Sequence, residues 1–386
     1  MNNNILLWLW LKNALDDKSV LTYKTYLHFK SIQAAYNATK EQLDELGFLK
    51  DEEKQKLLNK DLTAAENIQK ICASAQIKII TVDDECYPIQ LKEIYNYPCV
   101  LFLLGNDELV FKKPKLTVVG TRGCTIYGTS MTEKIVMPLA RAGFCLVTGV
   151  AKGIDSAVIK SVLAAQGSII CVLPYGHGTT RFGTSYRYKD ILPYGVILSE
   201  HLPNTNSHKY TYQERNRILS ALSLGTLVTQ APIKSGAVMT ANYALNQGKD
   251  VFALPANVDM PQSLGSNMLI RDGATPVFDY KDILFAYANE YKDQLTVDVE
   301  QPEVSLNPAD ETEEHDRLQD FKNIVINELD KDEKTVFSKI REGETDIDYI
   351  ISSTELPTST VMSIISALET KGAIVACPGN KYKIMI

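Results

Sequence analysis

Apolar residues in the first 74 positions recur three and four apart, the period of a helix face, and no run among them alternates as a strand does. Leu6, Leu9, Trp10, Leu21, Tyr26, Leu27, Leu43, Leu46, Leu57 and Leu58 carry the pattern, with turn signals at Asp16-Asp17 and Gly47. Residues 1–74 are therefore predicted to form an all-helical domain of short helices. From Ile77 the pattern changes to short apolar runs, Lys78–Val82 and Val100–Leu104. A regular alternation follows. Buried-strand signals at Leu116–Val119, Phe144–Thr148, Ser168–Leu173, Val196–Ser199, Thr226–Thr229, Asp250–Leu254 and Pro276–Phe278 are separated by helical stretches at Gly128–Arg141, Ile154–Ala165, Tyr212–Leu224 and Ser235–Gln247. Near-continuous apolar strands between helices predict a parallel sheet covered on both faces, an α/β doubly wound core over 75–290.

Beyond that core the hydrophobic pattern fails. Residues 290–334 hold 15 acidic and 5 basic residues with Pro302 and Pro308, a composition that cannot bury enough apolar surface to order itself. Residues 291–330 are predicted to be an acidic linker. Over 331–386 the order helix, helix, turn, helix and two short strands predicts a winged helix–turn–helix. Its presumed recognition helix, Ser359–Lys371, has no arginine and only a terminal lysine, too little charge to hold a duplex. Lys331, Lys334, Lys339, Arg341, Lys371, Lys381 and Lys383 face eight acidic residues in this domain. It is expected to serve a protein partner or cover the core.

Composition adds the compartment and the partner. The chain has 386 residues, 45% of them hydrophobic, and no apolar run of the roughly 18 residues a membrane span needs. Ile5–Leu11 has no basic residues before it and no small-residue cleavage site after it, so it reads as a helix face rather than a signal peptide. Seven scattered cysteines without a Cys-x-x-Cys spacing point to a reducing cytoplasm, with neither a disulfide framework nor a structural zinc site. The net charge of −7 is uneven: Asp107–Lys281 holds 18 Lys/Arg against 11 Asp/Glu. A basic middle between acidic flanks points to a polyanionic partner.

In doubly wound sheets ligands sit beyond the carboxyl ends of the strands, near helix N-termini. Three predicted strand ends there carry glycine beside a basic or hydroxyl side chain: Gly120-Thr121-Arg122, Gly149 through Lys152 to Asp155, and Lys234-Ser235-Gly236. Gly120 would let a ligand approach the backbone, and Thr121 and Arg122 could donate to a phosphate. Alternatively the glycines only make tight strand-to-helix turns. The segment His208–Arg217 interleaves Lys209, Arg215 and Arg217 with Tyr210 and Tyr212, which suits single-stranded nucleic acid: cations on phosphates, rings on unstacked bases. Its bland alternative is a surface helix with Tyr212 turned inward and its arginines paired with Glu214 or Asp272. His177, His201 and His208 are expected to be separate surface histidines. No phosphate loop, dinucleotide fingerprint, His-Glu-x-x-His or nucleophile elbow is present, so neither a catalytic residue nor a metal or cofactor site is expected.

These motifs together resemble the DNA-processing protein A family, also called Smf. The matching stretches are VVGTRGCTIYG from Val118, VTGVAKGIDSAV from Val147, ILSEHLPNT from Ile197, YQERNRILSALS from Tyr212, KSGAVMTANYAL from Lys234, GKDVFALPAN from Gly248 and GSNMLIRDGATPVF from Gly265. The resemblance implies a Rossmann-like core between a SAM-like helical N-terminal domain and a winged helix. It implies a homodimer that binds and protects incoming single-stranded DNA and loads the recombinase RecA in natural transformation. It puts DNA contacts on Arg122, Lys209 and Tyr212; strand-end geometry adds Gly120, Thr121, Lys152, Arg215, Ser235 and Gly236. The chain departs from the family's pattern at Gly123, at Pro174–Gly178, at Tyr212-Gln213 and around Asp16–Leu21, where the usual residues are different. The rival functions are a nucleotide-binding sensor and a phosphoribohydrolase-like enzyme. The second would need Pro-Gly-Gly-x-Gly-Thr where this chain has Pro255-Ala256-Asn257.

Overall fold

A computed structural model describes residues 3–112, 114–178, 184–297, 329–340, 345–354, 356–370, 373–377 and 381–384. The acidic stretch 298–328, Arg341 and Lys371 lie outside them. The chain divides into two compact units, Met1–Glu300 and Gln301–Ile386.

The N-terminal helices are α1 (Asn3–Ala14), α2 (Ser19–Phe29), α3 (Ile32–Tyr36), α4 (Lys40–Asp44), α5 (Asp51–Leu58) and α6 (Thr63–Ser74). Trp8, Leu9, Trp10 and Leu11 are consecutive and all buried, so α1 is covered on every side rather than along one stripe. The break expected at residue 74 is not a break in packing. Trp8 Nε1 and Tyr26 Oη donate to Asp83 at 2.9 and 2.7 Å, and one hydrophobic cluster runs from α1 through Ile80 and Leu101 to the sheet.

The second tie is Asp17, in the α1–α2 turn. Asp16 and Asp17 both take positive φ, 52° and 58°, a region short Asp side chains tolerate. The Asp17 carboxylate forms an ion pair with Lys12 Nζ at 2.6 Å. It accepts from His201 Nδ1 at 3.0 Å, from the Leu202 N–H at 3.0 Å and from Thr205 Oγ1 at 2.7 Å. Burial alone would raise its carboxyl, but the Lys12 charge and the His201 contact outweigh burial and hold it at about 2. A folded-state value below the unfolded one stabilises fully above about pH 4 and is lost as pH falls towards 2. We expect the wild type to lose about 2 kcal/mol more than Asp17→Asn over that interval, measured by urea denaturation at each pH. Parallel curves for the two proteins would show that Asp17 does not carry this link.

The sheet has nine strands: β1 (Lys78–Thr81), β2 (Val100–Gly105), β3 (Lys115–Val119), β4 (Cys145–Thr148), β5 (Ser168–Val172), β6 (Gly195–Ser199), β7 (Gly225–Val228), β8 (Asp250–Ala253) and β9 (Thr275–Pro276). Their order is β1-β2-β6-β5-β4-β3-β7-β8-β9. Strands β3 to β9 are mutually parallel as expected, but β1 and β2 join antiparallel, with Leu103 opposite Leu198 of β6. The sheet is therefore mixed, with an antiparallel edge of the kind large doubly wound sheets often carry. From β3 the chain winds outward through β4, β5 and β6, then returns to lay β7 against β3's other side.

Alternate residues feed two cores. Cys145 and Val147 face one, with Ile218 and Leu219 of α12 (Lys209–Ala221) and Ala237 and Ala241 of α13 (Gly236–Asn246). Leu146 faces the other, with Ile135 and Leu139 of α9 (Ile126–Ala142), Val158 of α10 (Ile154–Ala164) and Ile283 of α15 (Tyr280–Tyr287). This period-two division is why the strands read as continuous apolar runs. Short helices α7 (Ile89–Lys92), α8 (Glu108–Lys112), α11 (Tyr188–Ile191) and α14 (Leu264–Arg271) occupy connections. No described helix is long and apolar enough to cross a membrane.

The first unit continues past the expected boundary at 290. Leu295 is buried in the second core, and the Thr296 N–H donates to the Ala142 carbonyl at 2.9 Å. Gly143, at φ +112°, leaves the space that the Gln294 carbonyl occupies. Residues 291–297 are thus packed chain, not linker.

The second unit comprises α16 (Lys331–Phe337), β10 (Thr345–Asp346), α17 (Ile347–Ser352), α18 (Thr358–Thr370), β11 (Ile374–Cys377) and β12 (Lys381–Ile384). Its antiparallel sheet, β10-β12-β11, has one strand more than the pattern predicted. Asp330 caps α16 by accepting from the N–H groups of Asp332 and Glu333, and Leu329 is buried in the core of this unit. Val361, Ile365 and Leu368 face the core, as the spacing in α18 required, with Ile364 packed at its edge.

Candidate nucleic-acid interface

The order β4-β3-β7-β8 places the reversal of winding between β3 and β7, where a crevice opens at the carboxyl ends of the strands. A cleft of about 680 Å³ lies there. Gly120, Thr121 and Arg122 after β3, Lys209, Tyr212 and Arg215 of α12, and Lys234, Ser235 and Gly236 at the start of α13 all line it. Eight of the nine residues singled out from the sequence therefore meet in one place. Lys152 does not: it is exposed on the loop before α10, and its neighbour Ala151 reaches the cleft instead.

Several of these residues act differently from the sequence expectation. Gly120 is a packing glycine, because a Cβ there would overlap the Ile154 side chain and stand 2.9 Å from the Gln230 carbonyl. Its neighbour Thr121 is pinned through the backbone. The Thr121 N–H donates to the Gln230 carbonyl at 2.7 Å, and its own carbonyl accepts from the Ile154 N–H at 3.2 Å. Gln230, fully buried, gave no sequence signal as part of the site. Its amide accepts from the Thr125 N–H at 2.8 Å and donates to Thr125 and Ser263 hydroxyls, so it fixes the whole 120–125 loop. Ser235 caps α13, its hydroxyl accepting from the Val238 N–H at 3.2 Å. Asn216 Nδ2 draws the same turn towards α12 by donating to the Gly236 carbonyl at 3.1 Å.

The cations separate by depth. Arg122, Lys209 and Lys234 are exposed; Arg215 is 6% exposed and forms the floor. Arg215 Nη1 donates to the Val172 carbonyl at 2.5 Å. A Cβ on Gly149 would collide with both the Asp155 carboxylate and this guanidinium, so glycine there makes room for the pair. Burial pushes the Asp155 carboxyl up, and the charge of Arg215 opposes that shift. The Asp155 carboxylate also accepts from the Ala151 N–H at 3.1 Å. At the mouth, the Arg122 guanidinium lies 4.8 Å from the centre of the Tyr212 ring, in cation–π contact. Tyr212 is thus half-buried against a cation and lines the cleft; it is not turned into the core.

The arginines of α12 do not pair as the alternative reading of this helix had them. Arg217 is buried and grips buried Glu200 through two bonds, 3.1 and 2.7 Å, while Asp272 contacts Arg271. His177 and His201 are buried, not surface residues: His177 Nε2 contacts the Phe102 carbonyl at 2.9 Å, and His201 holds Asp17. Of these three histidines His208 alone is exposed, at the start of α12. Among the described residues no group of three or more His, Cys, Asp or Glu could hold a metal ion. Pro255–Asn257 do not line the cleft, so the loop where a phosphoribohydrolase would carry its hallmark is elsewhere.

The family model for DNA recombination-mediator protein A matches residues 78–288, and that for the DprA winged helix domain matches residues 325–380. The chain is 36% identical over 208 residues to the DNA processing protein DprA of Bacillus subtilis, covering 54% of this chain and 70% of that protein. It is 36% identical over 202 residues to DprA of Streptococcus pneumoniae, covering 52% and 71%. The X-ray structure of the S. pneumoniae protein superimposes with a TM-score of 0.53 at 27% identity, covering 69% of this chain and 97% of that one.

Proposed function

Because this chain belongs to the DNA recombination-mediator protein A (DprA/Smf) family, we propose that its cleft between β3 and β7 holds single-stranded DNA without acting on it chemically. The observation that carries the reading is the Arg122–Tyr212 contact, 4.8 Å from guanidinium to ring centre, flanked by Lys209 and Lys234. A cation for phosphate beside a ring for a base is the pairing that unstacked strands need and that a duplex, with its bases already stacked, cannot use. The carboxylate in the cleft, Asp155, is buried and accepts from the Ala151 N–H, so it holds the loop after β4 in place. On the same reading the protein works in the cytoplasm as a homodimer that protects incoming DNA and passes it to RecA. The winged-helix unit serves a protein partner.

The test is a titration of the full chain with single-stranded and duplex oligonucleotides of one length at several salt concentrations. Tighter binding of the single strand at every salt is expected. Equal affinity for the duplex would sink the reading. A mononucleotide that displaced the oligonucleotide at comparable concentration would favour a nucleotide sensor instead.

A further inference from the structure

Arg122 is exposed, and among the described residues its side chain makes no hydrogen bond or ion pair; its contact is with the Tyr212 ring. A long, exposed side chain held by a ring alone costs rotamer entropy to fix. Where its guanidinium stands is therefore set by where the loop after β3 holds its backbone.

Both ends of that loop, Thr121 and Thr125, are gripped by one residue just beyond β7. The Gln230 carbonyl accepts from the Thr121 N–H at 2.7 Å. Its side chain takes the other end: Oε1 accepts from the Thr125 N–H at 2.8 Å, and Nε2 donates to Thr125 Oγ1 at 3.0 Å. Nε2 also donates to Ser263 Oγ at 3.1 Å, which ties the grip to the residue before α14. Gln230 is 0% and Ser263 1% exposed, so water does not compete for these bonds. The amide has no second place to go, because the start of α9 closes over it; a Cβ on Gly128 would overlap Oε1. The Thr125 hydroxyl accepts in turn from the Gly128 N–H at 3.2 Å, capping α9.

The two grips differ in kind. The bond to Thr121 is main chain to main chain and survives any substitution of Gln230, and the Ile154 N–H holds Thr121 as well. The bonds to Thr125 belong to the amide. Losing it frees one end of the loop and leaves the other fixed, so Arg122 can swing away from Tyr212.

We propose that the Gln230 side chain is a positioning residue for DNA: it does not line the cleft, and it acts by setting the Arg122 guanidinium over the Tyr212 ring.

Arginine-selective ¹⁵N labelling of the full chain gives the Arg122 Nε–Hε signal, assigned by its absence from Arg122→Ala. A ring face moves a proton above it upfield, and Tyr212→Ala supplies the unshifted position. Gln230→Met fills the space without the amide; Gln230→Asn keeps an amide of shorter reach and serves if the first variant fails to fold, which thermal melting checks. Either is expected to move the Arg122 signal to its position in Tyr212→Ala. By fluorescence anisotropy the folded variant should bind a single-stranded oligonucleotide about tenfold more weakly, as Arg122→Ala does. Added to Arg122→Ala it should weaken binding no further, because a residue acting through Arg122 has nothing left to position. The affinity arm rests on the reading of the cleft, whereas the Arg122 signal needs no DNA. If Arg122→Ala itself bound normally, that reading would fail while the signal still decided this one. An Arg122 signal that stays upfield, or an equal loss of affinity in the Arg122→Ala background, would overturn the proposal.

Discussion

Replacing Arg217 with alanine is expected to lower folding stability by about 3–5 kcal/mol, the usual cost of removing one partner of a buried ion pair. Glu200 is 1% exposed and meets the guanidinium through two bonds, at 3.1 and 2.7 Å. Burial alone would raise the Glu200 carboxyl, but Arg217 outweighs it and holds it below the usual range. Without the arginine that carboxylate must either protonate or keep a desolvated charge. Arg217 also joins three elements: its Nη1 donates to the Glu214 carbonyl, and its own carbonyl accepts from Gln247 Nε2 at 3.1 Å. The change therefore loosens α12 just where Tyr212 and Lys209 depend on it. Urea denaturation measures the loss. The double variant Glu200→Gln/Arg217→Met should recover part of it, because no lone charge remains buried. A loss under about 1 kcal/mol in Arg217→Ala would mean the pair is not what orders this helix.

The second large effect is on DNA binding. Arg122→Ala and Lys209→Ala should each weaken binding about tenfold on any sequence and lower the log–log salt slope by about 0.7, one released counterion fewer. Tyr212→Ala should cost about 1–3 kcal/mol with the slope nearly unchanged, because stacking releases no counterion. Since Arg122 lies over the Tyr212 ring, the two substitutions should not add; a coupling of about 0.5–1 kcal/mol is expected in the double-mutant cycle. Lys152→Ala, outside the cleft, should leave both affinity and slope near the wild type. Fluorescence anisotropy with a labelled oligonucleotide across a salt series measures all of these. If Lys152→Ala matched Arg122→Ala, the strand would follow a path other than this cleft.

The α/β core was legible because its signal is local. Strands β3 to β8 are short, mostly apolar runs bounded by glycine turns, and a run buried on both faces carries only an occasional polar residue such as Thr117. The winged-helix pattern was legible for a similar reason, since Val361, Ile365 and Leu368 fall on one face of α18 whatever lies beyond. Site residues were also within reach: Arg122 and Ser235 after strands, and Lys209 and Tyr212 in the first turn of α12, were singled out from the sequence and meet in one cleft.

What lay outside the reach of sequence was every pairing between distant residues. Nothing local to Arg217 says that its partner is Glu200, 17 positions earlier, and nothing local to Gln230 says that it holds Thr125 from 105 positions away. The N-terminal helices read as a separate domain because their apolar period is complete in itself, yet Asp17 reaches 184 positions to His201. Nor does anything local show that Gly120, besides lining the cleft, must be glycine because the Ile154 side chain packs against it. The antiparallel edge was hidden too, because an apolar run carries no sign of the direction of its neighbour. By itself, then, the sequence determined the periodicity of each element, the order of the elements and the residue types waiting at their ends. The tertiary structure alone decided which of those ends meet, which charges are matched and which are left free, because these depend on distances that only the closed fold sets and on burial that only the assembled layers create.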